Sequence, residues 1–346
     1  MLIQTAGTTD LSQHATTITL WDGRTIPRIG FGGWPIAGPF YDGTVQLGYA
    51  RIEDADAIAL VRRAADSGIA FFDTAAVYGA GQSERLIGQA LGNRQDVVVA
   101  TKFGPVFDEQ TKQVTGLDLS PAGIVQQLDN SLGRLGRERI DLYQLHVNSA
   151  PIDTAVGVFD TLDELVAAGK IGAYGWSTDF PASIDAVADR KNFVAAQHAM
   201  NLFFDAPSMT ASVDRHGLVS ICRSPLAMGV LGGEIGKTAE LPADDIRRNN
   251  FSWMEYYNDG EVVPSFAAKL DRIRDLLTVG GRTVAQGALA WLWAKSPRTL
   301  PIPGMRSARH LDNAIDALRL GPLPDDVMAA IEDAIQREPE GEPRER

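Results

Sequence analysis

Four side chains that can move or hold a proton lie at or near the ends of apolar runs in the first half of the chain. The segment FFDTAAVYG closes such a run with Asp73 and places Tyr78 five positions later. Lys102 lies near the end of VVVATKF, and His146 follows DLYQL. A tyrosine has a pKa of about 10, but a nearby cation favours the phenolate, and an aspartate can hold that cation in place. With a histidine as hydrogen-bond donor, the set suits a carbonyl that becomes an alkoxide.

Each of these residues also has an ordinary structural explanation. Asp73 could form a turn, Lys102 could end a strand in solvent, His146 could be a hydrogen-bonded core residue, and Tyr78 could pack under a loop. The chemical interpretation requires the four to lie together. A lysine buried in so apolar a run needs an anion, and Asp73 is the obvious one. The set contains no hydride donor, so another group must supply one.

The elements that must position these residues are short apolar runs alternating with amphipathic segments. Eight runs are typical of buried parallel strands. They cover residues 28–33, 69–74, 97–103, 140–147, 171–178, 193–200, 218–224 and 299–304.

Helical patterns lie between the runs. Ser83 is the expected N-cap of one helix, and Ser120 caps another with Pro121 at its first position. Eight strands alternating with helices predict a closed (β/α)8 barrel, also called a TIM barrel. An open doubly wound α/β sheet is the structural alternative. It is less favoured because YGAGQSE lacks the third glycine of the dinucleotide-binding fingerprint.

Two segments depart from the simple alternation. TITLWDGRTIPRIG predicts an N-terminal β-hairpin around Asp22 and Gly23 that closes the bottom of the barrel. A long insertion after strand seven, residues 229–264, is typical of a lid or a cofactor clamp. We expect residues 1–336 to form a single domain and the charged residues 337–346 to form a flexible tail.

Composition excludes several classes of protein. The net charge is −12 and no basic run exceeds two residues, which argues against a nucleic-acid partner. No apolar run is long enough to span a bilayer, and the N-terminus lacks the pattern of a signal peptide. Cys222 is the only cysteine, which fits a reducing cytoplasm. No metal site is expected.

In a barrel of this kind the functional site is built at the carboxyl ends of the strands. Besides the four residues above, strand five ends in Ser177 and strand six carries Gln197. Strand seven ends in Arg223 and Ser224, and the loop after strand eight contains Arg306. We therefore expect these residues to surround one site.

The chain resembles the aldo-keto reductases over about residues 18–320. The resemblance rests on GIAFFDTAAVYGAGQSERLIGQAL, ATKFG, DLYQLH, RSPLAMGVLGG and IPGMRS, which occur in the family's order and spacing. It implies an NADP-dependent oxidoreductase that reduces an aldehyde or ketone to the alcohol. NADPH is the expected hydride donor, with NADH as the alternative.

The resemblance also assigns roles to residues. Tyr78 would be the general acid, with its pKa lowered by Lys102. Asp73 would hold Lys102, and His146 would orient the carbonyl. The residues that would bind the cofactor are Ser177, Gln197, Arg223, Ser224, Leu226, Gly229, Gly304, Arg306, Ser307, His310 and Asn313. Arginine and serine after strand eight favour a 2′-phosphate, hence NADPH.

The substrate pocket is expected to contain aromatic residues from the loops. Its candidates are Trp34, Phe40, Asn148 and Trp253. They fit an apolar or cyclic carbonyl compound, a sugar stacked on an aromatic face, or simple packing on the barrel rim. Two other functions stay open. One is a Schiff-base lyase using Lys102, which a tight aspartate disfavours. The other is a nucleotide-binding redox sensor with slow turnover.

Overall fold

The protein is described by a computed structural model covering residues 16–232 and 241–343. Eight parallel strands form one sheet, in chain order from one edge to the other. They are β1 Gly30–Gly32, β2 Phe71–Asp73, β3 Val98–Phe103, β4 Ile140–Leu145, β5 Ile171–Ser177, β6 Phe193–Ala199, β7 Val219–Arg223 and β8 Thr299–Pro301. Every predicted strand is present, shortened by a few residues at most.

The sheet curls so that its first and last strands meet. The amide of Gly32 donates a 3.0 Å hydrogen bond to the carbonyl oxygen of Pro303, and Gly32 forms a parallel bridge with Gly304. The backbones of β1 and of the segment after β8 lie so close together here that a β-carbon on Gly32 would be 2.7 Å from the carbonyl oxygen of Ile302. The position therefore requires glycine. The predicted (β/α)8 barrel is confirmed.

Ten α-helices surround the barrel in the described part of the chain. They are α1 Asp54–Asp66, α2 Gln82–Leu91, α3 Pro121–Leu135, α4 Ile152–Ala167, α5 Pro181–Asp185, α6 Pro207–His216, α7 Pro264–Leu277, α8 Val284–Lys295, α9 Ala308–Leu320 and α10 Asp325–Ile335. None of these helices has the length and apolar character that crossing a membrane requires.

Helix starts follow the sequence pattern in one case and not in another. Ser120 caps α3 by accepting a 3.1 Å hydrogen bond from the amide of Gly123, as predicted. Ser83 is not a cap, because α2 begins one residue earlier. Its hydroxyl instead donates to the carbonyl oxygen of Gly33 at 3.0 Å and accepts from the Thr74 hydroxyl at 2.8 Å. It thereby ties α2 to the ends of β1 and β2.

The predicted N-terminal hairpin closes one end of the barrel. Its antiparallel strands are Thr17–Thr19 and Thr25–Pro27. Ile18, Leu20 and Ile26 are buried against the apolar side chains that fill the barrel interior. Because they complete this core, the opposite end of the barrel, where the strands terminate, is the one left for a site.

Two further hairpins stand at that opposite end and were not predicted. The β1 hairpin (residues 40–47) has strands Phe40–Asp42 and Val45–Leu47, and the β3 hairpin (residues 105–117) has strands Pro105–Asp108 and Gln113–Leu117. They pair in parallel to form a small four-stranded sheet.

The insertion after β7 lies against the β1 hairpin. It contains a short antiparallel pair, Tyr257–Asn258 with Glu261–Val262, and a 3-10 turn at Ile246–Arg248. The amide of Ile246 donates a 3.0 Å hydrogen bond to the carbonyl oxygen of Gly48. Part of the predicted insertion, residues 233–240, lies outside the described residues.

The start of the charged C-terminal segment makes contacts with the barrel. Arg337 pairs with Glu332 at 2.6 Å and donates to the carbonyl oxygen of Leu202. Glu340 accepts from the hydroxyl of Ser208 at 2.5 Å. Residues 344–346 lie outside the described residues.

Candidate active site

A buried ion pair lies at the carboxyl ends of β2 and β3. Nζ of Lys102 is 2.7 Å from Oδ2 of Asp73 and 2.8 Å from the carbonyl oxygen of Thr74. The Lys102 side chain is 0% exposed and that of Asp73 4%. Burial lowers the pKa of Lys102, but Asp73 and Tyr78 raise it more, so the net pKa lies above its ordinary value and the ammonium form persists.

Tyr78 lies between Lys102 and the cavity described below. The phenol oxygen lies 3.4 Å from Nζ of Lys102, and the ammonium lies 4.9 Å from the ring centre. Burial raises the pKa of the phenol and Lys102 opposes this, with a net pKa above the ordinary value. The expected lowering by Lys102 is therefore present but smaller than the effect of burial. The phenol keeps its proton at neutral pH.

Amide side chains hold the second oxygen of the aspartate. Nε2 of Gln197 donates to Oδ1 of Asp73 at 2.7 Å, and Nε2 of Gln144 approaches the same atom at 3.4 Å. Gln197 was expected to hold a cofactor amide, and it lines the cavity described below. The bond to Asp73 also makes it part of the support for the ion pair.

His146 follows β4 and faces Tyr78. The two rings meet edge to face with centres 5.8 Å apart, and the His146 amide donates to the carbonyl oxygen of Phe103 at 2.8 Å. Burial, Lys102 and Arg223 hold the pKa of the imidazole well below its ordinary value. A neutral imidazole can donate one hydrogen bond without carrying charge. Its Nδ1 is buried and has no partner among the described residues.

These side chains open into one large cavity of about 940 Å³. It runs across the carboxyl ends of the strands and is bounded by the two hairpins, the insertion after β7 and the loop after β8. The sequence-predicted site residues that line it are Trp34, Phe40, Asp73, Tyr78, His146, Asn148, Ser177, Gln197, Arg223, Ser224, Leu226, Gly229, Trp253, Gly304, Arg306, His310 and Asn313. Lys102 lies behind Tyr78, and Ser307 is not part of the lining.

The ends of β5 and β7 are joined by an ion pair. A guanidinium nitrogen of Arg223 contacts a carboxylate oxygen of Asp179, whose other oxygen accepts from the amide of Ala199 at 2.8 Å. Oδ1 of Asn148 accepts from the amide of Asp179 at 2.8 Å. Asn148, expected in the substrate pocket, therefore also fixes this turn. Ser177 lies in the lining beside it.

The segment after β7 has an unusual backbone. Ser224, Ala227, Met228 and Gly229 have φ angles of 52°, 48°, 53° and 108°. Left-handed conformations at non-glycine residues are strained and cluster at functional sites. The Gly229 amide, expected to be offered to a cofactor, donates to the carbonyl oxygen of Leu226 at 2.9 Å and so closes the turn.

The loop after β8 brings cationic and polar groups to the far end of the cavity. Nη1 of Arg306 is buried and has no partner among the described residues. Ser307 caps α9 by accepting from the amide of His310 at 3.3 Å, which is the role of its hydroxyl here. Asn313 accepts from the hydroxyl of Thr283 at 2.8 Å.

Sequence reasoning missed a second cation at this end. Arg247, from the insertion, forms a two-point ion pair with Asp245 at 2.8 and 2.9 Å. Its guanidinium lies 5.4 Å from the ring centre of Tyr49 and 5.8 Å from that of Tyr257. The guanidinium of Arg306 lies 6.0 Å from the Tyr49 ring. Only the length of the insertion hinted at this contribution.

Across residues 16–232 and 241–343, no three histidine, cysteine, aspartate or glutamate side chains are grouped as a metal site requires.

Comparisons with known proteins identify the family of the chain. The sequence model of the aldo/keto reductase family matches residues 28–336. The aldo-keto reductase yakc [NADP(+)] of Schizosaccharomyces pombe is 30% identical over 308 residues, which cover 86% of this chain and 85% of that protein. The aldo-keto reductase YhdN of Bacillus subtilis is 28% identical, with 82% and 83% covered.

Solved structures give the same result. The glycerol dehydrogenase AKR11B4 of Gluconobacter oxydans superimposes with a TM-score of 0.78 at 27% identity, covering 95% of this chain and 98% of that one. An aldo/keto reductase of Klebsiella pneumoniae in complex with NADP and acetate shares the fold, with a TM-score of 0.70 at 21% identity, covering 96% and 99%. The chain belongs to the aldo/keto reductase family.

Proposed function

We propose that the protein reduces an aldehyde or ketone to the alcohol, taking hydride from NADPH and a proton from Tyr78. The observation that carries the proposal is the position of the Tyr78 phenol. It lies 3.4 Å from the ammonium of Lys102, whose partner is the buried Asp73, and it lines the same cavity as His146.

The cavity suits a dinucleotide. Its far end carries the guanidinium group of Arg306, which attracts phosphates, and that of Arg247, which is already paired with Asp245. Nη1 of Arg306, buried without a partner among the described residues, is a donor that a phosphate oxygen would satisfy. Arg223, Ser177 and Gln197 lie near the catalytic end, where they would hold the nicotinamide. The NADP(+) in the printed name of the yeast relative supports the same choice of cofactor.

When bound, the reduced nicotinamide supplies a hydride to the carbonyl carbon. The residues of this chain manage the oxygen. Tyr78 donates its proton to the oxygen as negative charge develops there, and the phenolate left behind is stabilised by the Lys102 ammonium 3.4 Å away. Asp73 keeps Lys102 protonated and in place, so the lysine is ready before the reaction begins.

His146 contributes a hydrogen bond and no charge. Its pKa is held well below the ordinary value by burial and by Lys102 and Arg223, so the ring is neutral at pH 7. A neutral ring can donate to the carbonyl oxygen without competing with Tyr78 as the acid. The same arrangement can run in reverse when Tyr78 is deprotonated, so alcohol oxidation should be favoured at high pH.

The test is NADPH oxidation, followed at 340 nm, with a panel of aryl aldehydes, cyclic ketones, keto-sugars and glyceraldehyde. The last is included because one structural relative is a glycerol dehydrogenase. The alcohol product is identified by mass spectrometry. We expect turnover of at least one carbonyl compound with NADPH. Tight NADPH binding without reduction of any compound would reject the proposal and favour a nucleotide sensor.

A further inference from the structure

The part of the cavity next to Tyr78 differs in character from the cationic end. We infer that it accepts a neutral carbonyl compound with an apolar, flat body, and that Asp42 at its rim discriminates against anions. The inference rests on the proposed function and narrows its substrate class. Asp42 would act as a specificity residue through its charge alone.

Apolar side chains from the loops after β1, β2, β3 and β7 form the wall around Tyr78. The indole of Trp34 stacks on the phenol ring with centres 5.8 Å apart and planes 22° apart, and it lies 6.4 Å from the ring of Trp253. Phe40, Leu47, Val77 and Val114 complete the wall. A flat apolar substrate would pack against this wall and bury its apolar surface there.

Partners for additional hydroxyl groups are scarce along this wall. Tyr78 and His146 are committed to the reacting oxygen. Oδ1 of Asn148 already accepts from the amide of Asp179. The indole Nε1 of Trp34 and Nη1 of Arg223 are buried and without a partner in the described part of the chain, so few spare donors remain. A polyol would bury hydroxyl groups without hydrogen bonds, which is costly.

The charges along this part of the cavity also disfavour an anionic substrate. The cation beside Tyr78, Lys102, is paired with Asp73. Arg223 is paired with Asp179 through one guanidinium nitrogen, while its Nη1 is buried without a partner among the described residues. The side chain of Asp42 lines the cavity and is exposed, next to Phe40 and facing solvent. A carboxylate on the substrate would therefore meet the negative charge of Asp42 at the rim, and the cations described beside Tyr78, Lys102 and Arg223, are each already paired with a carboxylate.

The test compares kcat/KM of the full-length enzyme with NADPH for benzaldehyde, 4-carboxybenzaldehyde and glyceraldehyde, each corrected for its hydrated fraction. We expect benzaldehyde to exceed each of the other two by about 30-fold or more, since unpaired polar groups and charges are rejected more strongly than missing methylenes. Asp42→Lys should raise the ratio of kcat/KM for 4-carboxybenzaldehyde to that for benzaldehyde by about 10-fold, because it changes the charge at a solvent-exposed position of the rim by two units.

Asp333→Lys is the matched control. Asp333 is exposed on α10 and does not line the cavity, so the same change of net charge should leave the ratio unchanged. Equal or better use of glyceraldehyde or 4-carboxybenzaldehyde by the native enzyme would overturn the inference and leave the proposed function standing. An unchanged ratio in Asp42→Lys would remove the role of Asp42. Failure to reduce any carbonyl would reject both.

Discussion

Replacing Asp73 with asparagine isolates the role of the buried ion pair. The substitution keeps the shape of the side chain but removes the charge that faces Lys102 at 2.7 Å. The Lys102 side chain, 0% exposed, would then face an uncharged amide, beside the Thr74 carbonyl and the Tyr78 phenol. Breaking a buried pair costs about 3–5 kcal/mol of unfolding free energy. We expect Asp73→Asn to lower stability at pH 7 by that amount.

The loss of unfolding free energy in Asp73→Asn, relative to the native protein, should shrink as the pH rises. We expect burial, no longer opposed by the anion, to lower the pKa of Lys102 far enough for the folded variant to hold a neutral amine, while the unfolded chain still binds a proton up to its ordinary pKa of 10.5. Stability of the variant then rises by about 1.4 kcal/mol per pH unit. In the native protein the pKa of Lys102 is raised, so this group adds no such slope below 10.5. Between pH 7 and 9 the difference should fall by about 3 kcal/mol.

Urea unfolding of both proteins at pH 7, 8 and 9 measures this difference, since all other groups titrate alike. The double variant Asp73→Asn/Lys102→Met is the control, because it has no lysine to titrate and its difference from the native protein should not change with pH. A loss for Asp73→Asn that stays constant from pH 7 to 9 would refute the reasoning.

Three further side chains give expectations of their own. Arg28→Met should lower the unfolding free energy in urea by about 3 kcal/mol, because the 2%-exposed guanidinium donates to backbone carbonyls in the last turn of α8 and just after it. A loss under about 1 kcal/mol would contradict this. Burial lowers the pKa of His198 to about 4, so this residue costs stability as the pH falls below 6.5. The stability advantage of the native protein over His198→Asn should therefore narrow by about 1.4 kcal/mol per pH unit from pH 6 to 4. A constant difference would contradict the lowered pKa of His198. Arg306→Met should weaken NADPH binding at least about 10-fold in fluorescence titrations and leave NADH binding nearly unchanged; equal losses for both would exclude a phosphate contact.

The barrel strands could be predicted because each carries a complete local signal. The run that became β3, Val98–Phe103, is apolar on both faces and buried throughout, as a strand enclosed by helices must be. Its carboxyl end lies next to that of β2, since Asp73 pairs with Ala100 across the sheet. Adjacent strand ends were therefore enough to bring Asp73 and Lys102 together.

The two hairpins over the site could not be predicted in this way. The strands of the β1 hairpin are three residues long and partly exposed, so they show no sustained alternation. Their support comes from the β3 hairpin, where Tyr41 pairs with Gln113. A pairing between segments so far apart in the chain is decided by the tertiary structure, and the sequence carries no local sign of it.

The hydrogen-bond partners of individual side chains could not be predicted from the sequence either. Gln197 was expected to contact only a cofactor, yet its amide also bonds Asp73, 124 residues away in the chain. Ser83 has the residue type of a helix cap but ties α2 to Gly33. Arg247 enters the site because the insertion folds back onto the loop after β1. In each case the residue type allowed several partners and the packing selected one.

The most direct test of the central claim is a single-turnover experiment with the native enzyme and Tyr78→Phe. Enzyme saturated with NADPH is mixed with an aryl aldehyde in a stopped-flow instrument, and the loss of NADPH absorbance gives the rate of the chemical step. We predict that Tyr78→Phe binds NADPH with a dissociation constant within about 2-fold of the native value and slows reduction at least about 1,000-fold, the scale of a positioned acid. Reduction within about 10-fold of the native rate would show that the proton comes from another group.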